Sequence, residues 1–354
     1  MEKYWKYLPI LKWKKGEQFA LKRLYEPQWD GLVPLLELEP MGAAPDAPSI
    51  RDMAPVYIKS LAKQIESSIP EDRMIAIDTR YACSSYAKQA NLLFFIFNMI
   101  NKVVPHYIIP TISASWVPLL ATLPSPQLKT LSELDDVILR FRTDAIQADQ
   151  VIPTIDELAK YVKRKRIHVV LDQFSLVEKK PADCVDNITP YIQEALKTVT
   201  AGVTVAGGSF PENLTGKKRG TTNIDRVEWK VWEQLQKDGF KAKIAYSDYT
   251  VTNPVRPPDD MDGAKVNPSI SIRYAGPDFW RLFKGVQFKN VPNRGELKIL
   301  CQLLTSEPVY SGSIFSHGDA QYAAYAIGPD TNGSPWTWRR DATNHHIALT
   351  ASAL

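Results

Sequence analysis

Short apolar runs that end on charged or hydroxyl residues alternate along this chain with longer stretches of helical period. The runs fall at 7–14, 33–40, 74–80, 106–113, 137–144, 168–175, 203–210 and 243–250. Each is long enough for a buried strand and too short for a core helix. Between them, near 16–29, 53–69, 85–104, 127–136, 154–166, 187–200 and 226–239, apolar positions recur every three to four residues and predict helices. Thr154 precedes Ile155, Asp156 and Glu157, which places a capping hydroxyl and two acids where a helix N-terminus favours them. Ile155, Leu158 and Val162 then share one face, and Val227, Val231, Trp232 and Leu235 share another.

Strands that alternate with helices pair in parallel, because each parallel neighbour needs a crossover. Eight strands with seven helices between them is the count that closes a TIM-like (β/α)8 barrel, an α/β fold. A doubly wound open sheet is the competing arrangement. It usually carries a glycine-rich first crossover, and here that crossover reads Lys14-Lys15-Gly16-Glu17, with one glycine. The barrel is the expected fold. Beyond the eighth run come a Pro- and Asp-rich stretch (252–268) and two further extended runs (270–276 and 279–285). A helix near 292–305 follows, with Leu297, Leu300 and Leu304 on one face, and is expected to be the eighth crossover. The chain therefore reads as one domain over 1–354. Its barrel covers about 4–251 plus the helix near 292–305, and a segment over about 306–354 is expected to close one end.

Composition narrows the setting. Hydrophobic residues are 44% of 354 and charged residues 23%, ordinary for a globular protein. The net charge of +4 permits an anionic ligand without demanding nucleic acid. Cys83, Cys184 and Cys301 are far apart, which excludes a disulfide framework or a cysteine zinc site and points to the cytoplasm. The N-terminus has no signal-peptide pattern. The most apolar stretch, 89–101, is too short and too polar for a bilayer, so no membrane attachment is expected.

Barrel enzymes carry their chemistry at the C-terminal strand ends. Those positions hold Lys12, Lys14, Glu37, Glu39, Asp78, Arg80, Thr111, Ser113, Arg140, Arg142, Asp144, Asp172, Ser209 and Asp248. Three runs repeat one pattern, apolar residues and then a single Asp, at Asp78, Asp172 and Asp248. A buried Asp is costly unless paired or solvated. One reading pairs these acids with Arg80, Arg140, Arg142 and Lys12 as a structural ring. The other makes a pocket in which Glu37, Asp78, Asp172 and Asp248 serve as acid and base or hold a divalent metal. In that pocket Lys12, Arg140 and Arg142 hold an anion.

The segment 207–223 supplies Ser209, two glycine pairs' worth of backbone freedom, and the basic run Lys217, Lys218 and Arg219. Barrels often bind phosphate after their seventh and eighth strands. A solvated surface run is the plainer reading, and the spacing is not a P-loop. His317, His345 and His346 fall in the last forty residues beside Trp336, Trp338, Arg339 and Arg340. They are either hydrogen-bonded structural groups or an acid–base supplied by the closing segment. Asp259 to Gly263 lacks the closing glutamate of a calcium loop.

The segments LPILKWKKGEQFALKRL, PLLELEP, AGGSFP, SDY, IRYAG and TWRRDATNHH, in this order, resemble the beta protein family of satellite phages and prophages. The resemblance runs from about residue 6 to the C-terminus. Its recurrent positions here are Lys12, Gly16, Glu17, Glu37, Ser209, Phe210, Pro211, Asp248, Tyr249, Arg273, Tyr274, Trp338, Arg339, His345 and His346. The resemblance implies a component of a small antiphage defence cassette, beside a nuclease-like or host-toxic partner and a small regulatory protein. It supplies no catalytic residues. The leading expectation is a barrel protein that binds an anionic ligand, phosphorylated or nucleic-acid-derived, and controls a partner from the same cassette. Its candidate ligand-binding residues are Lys12, Arg140, Arg142, Ser209, Lys217, Lys218, Arg273, Tyr274, Arg339, His345 and His346. One alternative is a phosphodiester or glycosidic hydrolase using Glu37, Asp78, Asp172 and Asp248. Another is a non-catalytic scaffold or antidote. The oligomeric state stays open.

Overall fold

Side-chain alternation along the strands sorts the apolar residues into two shells. Ile10, Leu35, Ala76, Ile109, Ile138, Val170, Ala206 and Ala245 fill an inner cluster. Their neighbours Leu11, Leu36, Ile77, Ile108, Leu139, Leu171, Val205 and Ile244 join an outer layer with the helices. Each buried Val, Leu or Ile contributes about 2 kcal/mol relative to exposure, so the interior is a packed core and not a pore.

The computed structural model describes residues 5–40, 50–82, 86–198, 200–256, 266–290 and 295–354. The barrel strands and helices are β1 (Ile10–Lys12), α1 (Lys15–Lys22), β2 (Leu35–Glu37), α2 (Ile50–Ser68), β3 (Met74–Asp78), α3 (Tyr86–Ile100) and β4 (Tyr107–Ser113). They continue as α4 (Ser125–Glu133), β5 (Val137–Arg142), α5 (Val151–Leu158), β6 (Ile167–Ser175), α6 (Pro181–Leu196) and β7 (Gly202–Gly208). After β8 (Gly220–Asp225) come α7 (Val227–Leu235) and β9 (Ile244–Asp248). The chain ends with β10 (Ser269–Ala275), β11 (Phe279–Gln287), α8 (Glu296–Ser306), α9 (His317–Ile327) and α10 (Pro335–Ala353).

Eight strands form one parallel sheet in the order β1-β2-β3-β4-β5-β6-β7-β9. The Leu8 amide donates to the Tyr246 carbonyl at 2.9 Å and the Tyr246 amide to the Lys6 carbonyl at 3.0 Å, so β9 returns to the chain entering β1. The result is a nearly closed TIM-like barrel alternating with helices, as the run pattern predicts. No helix among the described residues is long and apolar enough to cross a membrane.

Three expectations are corrected. Thr154 does not cap its helix. α5 begins at Val151, and the Thr154 hydroxyl donates to the Gln150 carbonyl at 2.7 Å. Pro153 is tolerated there because a first-turn residue needs no intrahelical N–H partner. The helix near 292–305 is α8, and it is not a barrel crossover. Leu297, Leu300 and Leu304 pack with Ile270, Ile272 and Phe283 of β10 and β11. The basic run 217–219 leads directly into an ordered strand. β8 pairs antiparallel with β11, and β11 with β10, giving a separate three-stranded sheet. Cys184 and Cys301 are free and buried. Cys83 and the Asp259–Gly263 stretch lie outside the described residues, and the Pro- and Asp-rich loop does so in large part.

Candidate functional site at the barrel mouth

Parallel register lines up the strand ends. Lys12 sits beside Glu37, Glu37 beside Asp78, and Arg142 beside Asp172. Lys12, Glu37, Asp78, Arg140 and Asp172 each lie two residues beyond an inner-core residue, so all five face the barrel interior. Arg140 is their hub. Its Nη1 donates to Glu37 Oε1 at 2.9 Å and to Asp78 Oδ2 at 2.8 Å. Its Nη2 and Nε reach Asp172 Oδ2 at 2.8 and 3.1 Å. The Tyr249 hydroxyl receives Arg140 Nη2 at 2.5 Å and donates to Asp172 Oδ2 at 2.7 Å. Glu37, Asp78, Arg140, Asp172 and Tyr249 are each 1% exposed or less.

The repeated Asp has a second task. The free oxygen of Asp78 accepts the Arg80 amide at 2.8 Å, that of Asp172 the Phe174 amide at 2.9 Å, and Asp248 Oδ1 the Thr250 amide at 3.0 Å. Each carboxylate thereby closes the turn that leaves its strand. Phe174 and Thr250 sit at φ of +61° and +49°, left-handed conformations that side-chain bond helps hold.

Three buried carboxylates meet few cations, and the mismatch shows in the ionisation of Asp172 and Glu37. Burial alone would raise Asp172, but the Arg140 and Arg80 charges outweigh it and hold the carboxyl below its ordinary value. Burial raises Glu37 despite Arg140, and its Oε2 has no hydrogen bond. Burial also pulls the Lys12 ammonium down to about 8, and its Nζ donates to the Val255 carbonyl at 2.7 Å. Arg80 Nη1 stands 3.8 Å from Asp172 Oδ2, yet both terminal nitrogens are buried and make no hydrogen bond.

The structure does not bring Asp248 into this cluster. Asp248 shares parity with Ile244 and Tyr246, which belong to the outer layer. Its Oδ2 meets His346 Nε2 at 2.7 Å and accepts the Tyr246 hydroxyl at 3.0 Å, while Oδ1 accepts the Tyr7 hydroxyl at 2.7 Å. Arg226 Nη2 is 3.9 Å away, and Trp280 stacks on the His346 ring at 4.8 Å. Burial would raise Asp248, but His346 and Arg226, with the Tyr7 hydroxyl, hold it at about 2. Burial holds the His346 imidazole below its ordinary value.

His345 belongs to a third network. Its Nδ1 lies 2.8 Å from Asp319 Oδ2, its Nε2 2.9 Å from the Ala275 carbonyl, and it stacks on Tyr274 at 3.8 Å. Tyr274 donates to Asp319 Oδ1 at 2.7 Å. Adjacent helical residues project about 100° apart, so His345 and His346 serve different partners.

The remaining candidates scatter. Ser209 is buried, with Trp280 Nε1 3.4 Å from its hydroxyl. Arg142 pairs with Asp144 and lies over the Phe174 ring at 3.3 Å. The Lys217 carbonyl accepts Lys284 Nζ at 2.7 Å, and Lys218 is exposed. Arg273 and Arg339 lie beside the three-stranded sheet. Arg339 Nη1 reaches Glu17 Oε1 at 3.1 Å across Gly16, where a Cβ would meet Arg339 Cγ at 2.6 Å.

Among the described residues no group of three His, Cys, Asp or Glu side chains is placed to hold a metal. The converging carboxylate oxygens that a divalent cation would use are taken by the Arg140 guanidinium. The sequence pointed to Arg80 only as a partner of the acids in the structural ring, and it did not single out Tyr249 or Arg226 as chemical groups of the site. Tyr249 was findable, because its parity with Ala245 points it inward. Arg226 carried no signal, since its partners at 248, 276 and 350 are remote in sequence.

Among solved structures, this chain is similar to one described as the "N-terminal domain of a putative aldolase from Bacteroides vulgatus". Identity is 10% and the TM-score 0.37, with 98% of this chain and 95% of that chain covered. No curated protein matches this chain. The family model described as Beta protein matches residues 7–351, nearly the whole length over which the quoted motifs occur, and the chain belongs to that family.

Proposed function

We propose that the barrel mouth binds an anionic ligand, phosphorylated or nucleic-acid-derived, and that the protein controls a partner encoded beside it in phage–host conflict. One observation carries the binding half: Arg80 holds two buried terminal nitrogens without a hydrogen bond, one of them 3.8 Å from Asp172 of the acidic hub. Buried donors left unmade cost about 1–3 kcal/mol each, so an oxygen ligand is favoured there. The phage–host half rests on the family motifs. On this reading the chain works as one domain in the cytoplasm, and the segment 306–354 closes the mouth, its His346 gripping the end of β9.

Purified protein titrated with inorganic phosphate, mononucleotides and oligonucleotides should melt at a higher temperature. A ligand at a hundred times its Kd adds about 2.7 kcal/mol. Arg80→Gln should shrink the shift by removing the contribution of the mouth. No shift with any of these probes, together with no co-purifying partner, rejects the proposal.

A hydrolase reading has its own support. Glu37 and Asp172 share the Arg140 guanidinium, yet burial raises one and the Arg charges lower the other. Such divergence suits an acid and a base in one site. Glu37 Oε2 would donate the proton to the leaving oxygen. On this reading, Glu37→Gln should cut turnover of a phosphodiester or glycoside by roughly 100-fold or more and remove the alkaline limb of its pH profile. Equal turnover by wild type and Glu37→Gln removes this reading.

A further inference from the structure

We propose that the cavity between the three-stranded sheet and the 212–216 loop binds a phosphate monoester carried on a compact apolar or aromatic body. This site is separate from the barrel mouth and does not depend on it. The cavity has a volume of about 510 Å³, inside the range of roughly 300–1,000 Å³ in which small-molecule sites fall.

Its charge is lopsided. Arg273, Lys284 and Arg339 line it, and among the described lining residues Glu212 is the one carboxylate, a balance of +2 over those residues. Glu212 is exposed at the rim. A phosphate monoester carries about −1.5 to −2 at neutral pH and matches that balance better than a carboxylate does.

Arg273 is the least satisfied of the three cations. Among the described residues its one side-chain hydrogen bond runs from Nη1 to the Val251 carbonyl at 2.8 Å, with its guanidinium over the Phe210 ring at 4.6 Å. No carboxylate among the described residues lies within ion-pair distance of it. Burial and the neighbouring Arg339 charge pull it below its ordinary value, as expected for a cation awaiting a counter-charge. Arg339 commits one nitrogen to Glu17 and keeps the rest of its fork. Two guanidinium forks lining one cavity suit bidentate contact with phosphate oxygens.

Lys284 faces the cavity from β11, in the same sheet as Arg273. Its Nζ donates to the Leu214 and Lys217 carbonyls, each at 2.7 Å, and so ties the loop to β11. Leu214, Val266, Pro268, Pro335 and Trp338 give the cavity an apolar side for the body of the ligand.

The test is calorimetric titration of the full chain with inorganic phosphate, adenosine 5′-monophosphate, glucose 6-phosphate and unphosphorylated adenosine. In Arg80→Gln, where the mouth does not contribute, a phosphate monoester should bind with one site per chain and adenosine should not, and the two esters tell nucleotide from sugar phosphate. Arg273→Gln should weaken binding by roughly 10- to 100-fold. Thr215→Trp, on the exposed loop and clear of the core, should block the cavity and abolish binding even if Arg273→Gln folds poorly. Arg80→Gln should leave it unchanged, which separates this site from the mouth. The inference is overturned if no phosphate probe binds, if adenosine binds equally, or if Thr215→Trp binds as wild type does. Loss with Arg80→Gln alone, or binding confined to oligonucleotides, overturns it as well.

Discussion

Replacing Arg140 with methionine is expected to remove about 3–5 kcal/mol of stability, the cost of stripping the partner from buried charges. That is a large part of the roughly 5–15 kcal/mol a domain commands. Arg140 supplies the hydrogen bonds that hold Glu37, Asp78 and Asp172 in a site from which water is excluded. Without it, three carboxylates face one another at the inner strand ends. Their pKa values must then rise in the folded state, adding to the rise burial already imposes on Glu37. A raised folded pKa contributes stability below the unfolded value and loses it as pH climbs. The variant should therefore be weakest near pH 8 and recover toward pH 5, opposite to an ordinary core defect. Urea midpoints of wild type and Arg140→Met at both pH values provide the check. A deficit that does not change with pH would show that the charges are not what Arg140 manages.

Asp248→Ala should cost a comparable amount, about 3–5 kcal/mol, because it takes the buried carboxylate from His346, Tyr7 and Tyr246 and leaves Arg226 only Glu228, at 3.7 Å. Asp248→Asn separates the charge from the packing. The Asp248 carboxyl sits at about 2 in the folded protein, below its ordinary value of 3.8. Its contribution is thus present above pH 4 and is lost as pH falls from about 4 toward 2. The difference is worth about 2 kcal/mol. Wild type should lose that much more than Asp248→Asn over this acid limb, read from denaturant midpoints. Parallel acid limbs in the two proteins would contradict the assigned pairing.

The barrel was legible because it depends on repetition. Eight short apolar runs between helical stretches leave few ways to bury both strand faces, and parallel pairing follows from the connections. The three-stranded sheet was legible only as two extended runs. Its third strand, β8, reads as a solvated loop because it is an edge strand of Gly, Thr and Asn with mostly exposed side chains. The 292–305 helix was read with the right apolar face and the wrong partner, since Leu297, Leu300 and Leu304 fit any apolar surface equally well.

At the site, the sequence marked the acids and the arginines and left two readings open. Strand parity already held the answer for one of them. Ile244, Tyr246 and Asp248 alternate outward while Ala245 and Tyr249 point in, so Asp248 could never have joined Asp78 and Asp172. What only the tertiary structure decided was which charge meets which. Arg140 lies 103 residues from Glu37, 62 from Asp78 and 32 from Asp172. Such contacts come from barrel closure, not from local spacing. The sequence by itself determined the alternation, the inward and outward faces, and the placing of charge at the strand ends, because these depend on local geometry and burial. The hub on Arg140, the outward Asp248–His346 network and the Arg273 cavity depend on how distant segments pack, and only the folded chain sets that.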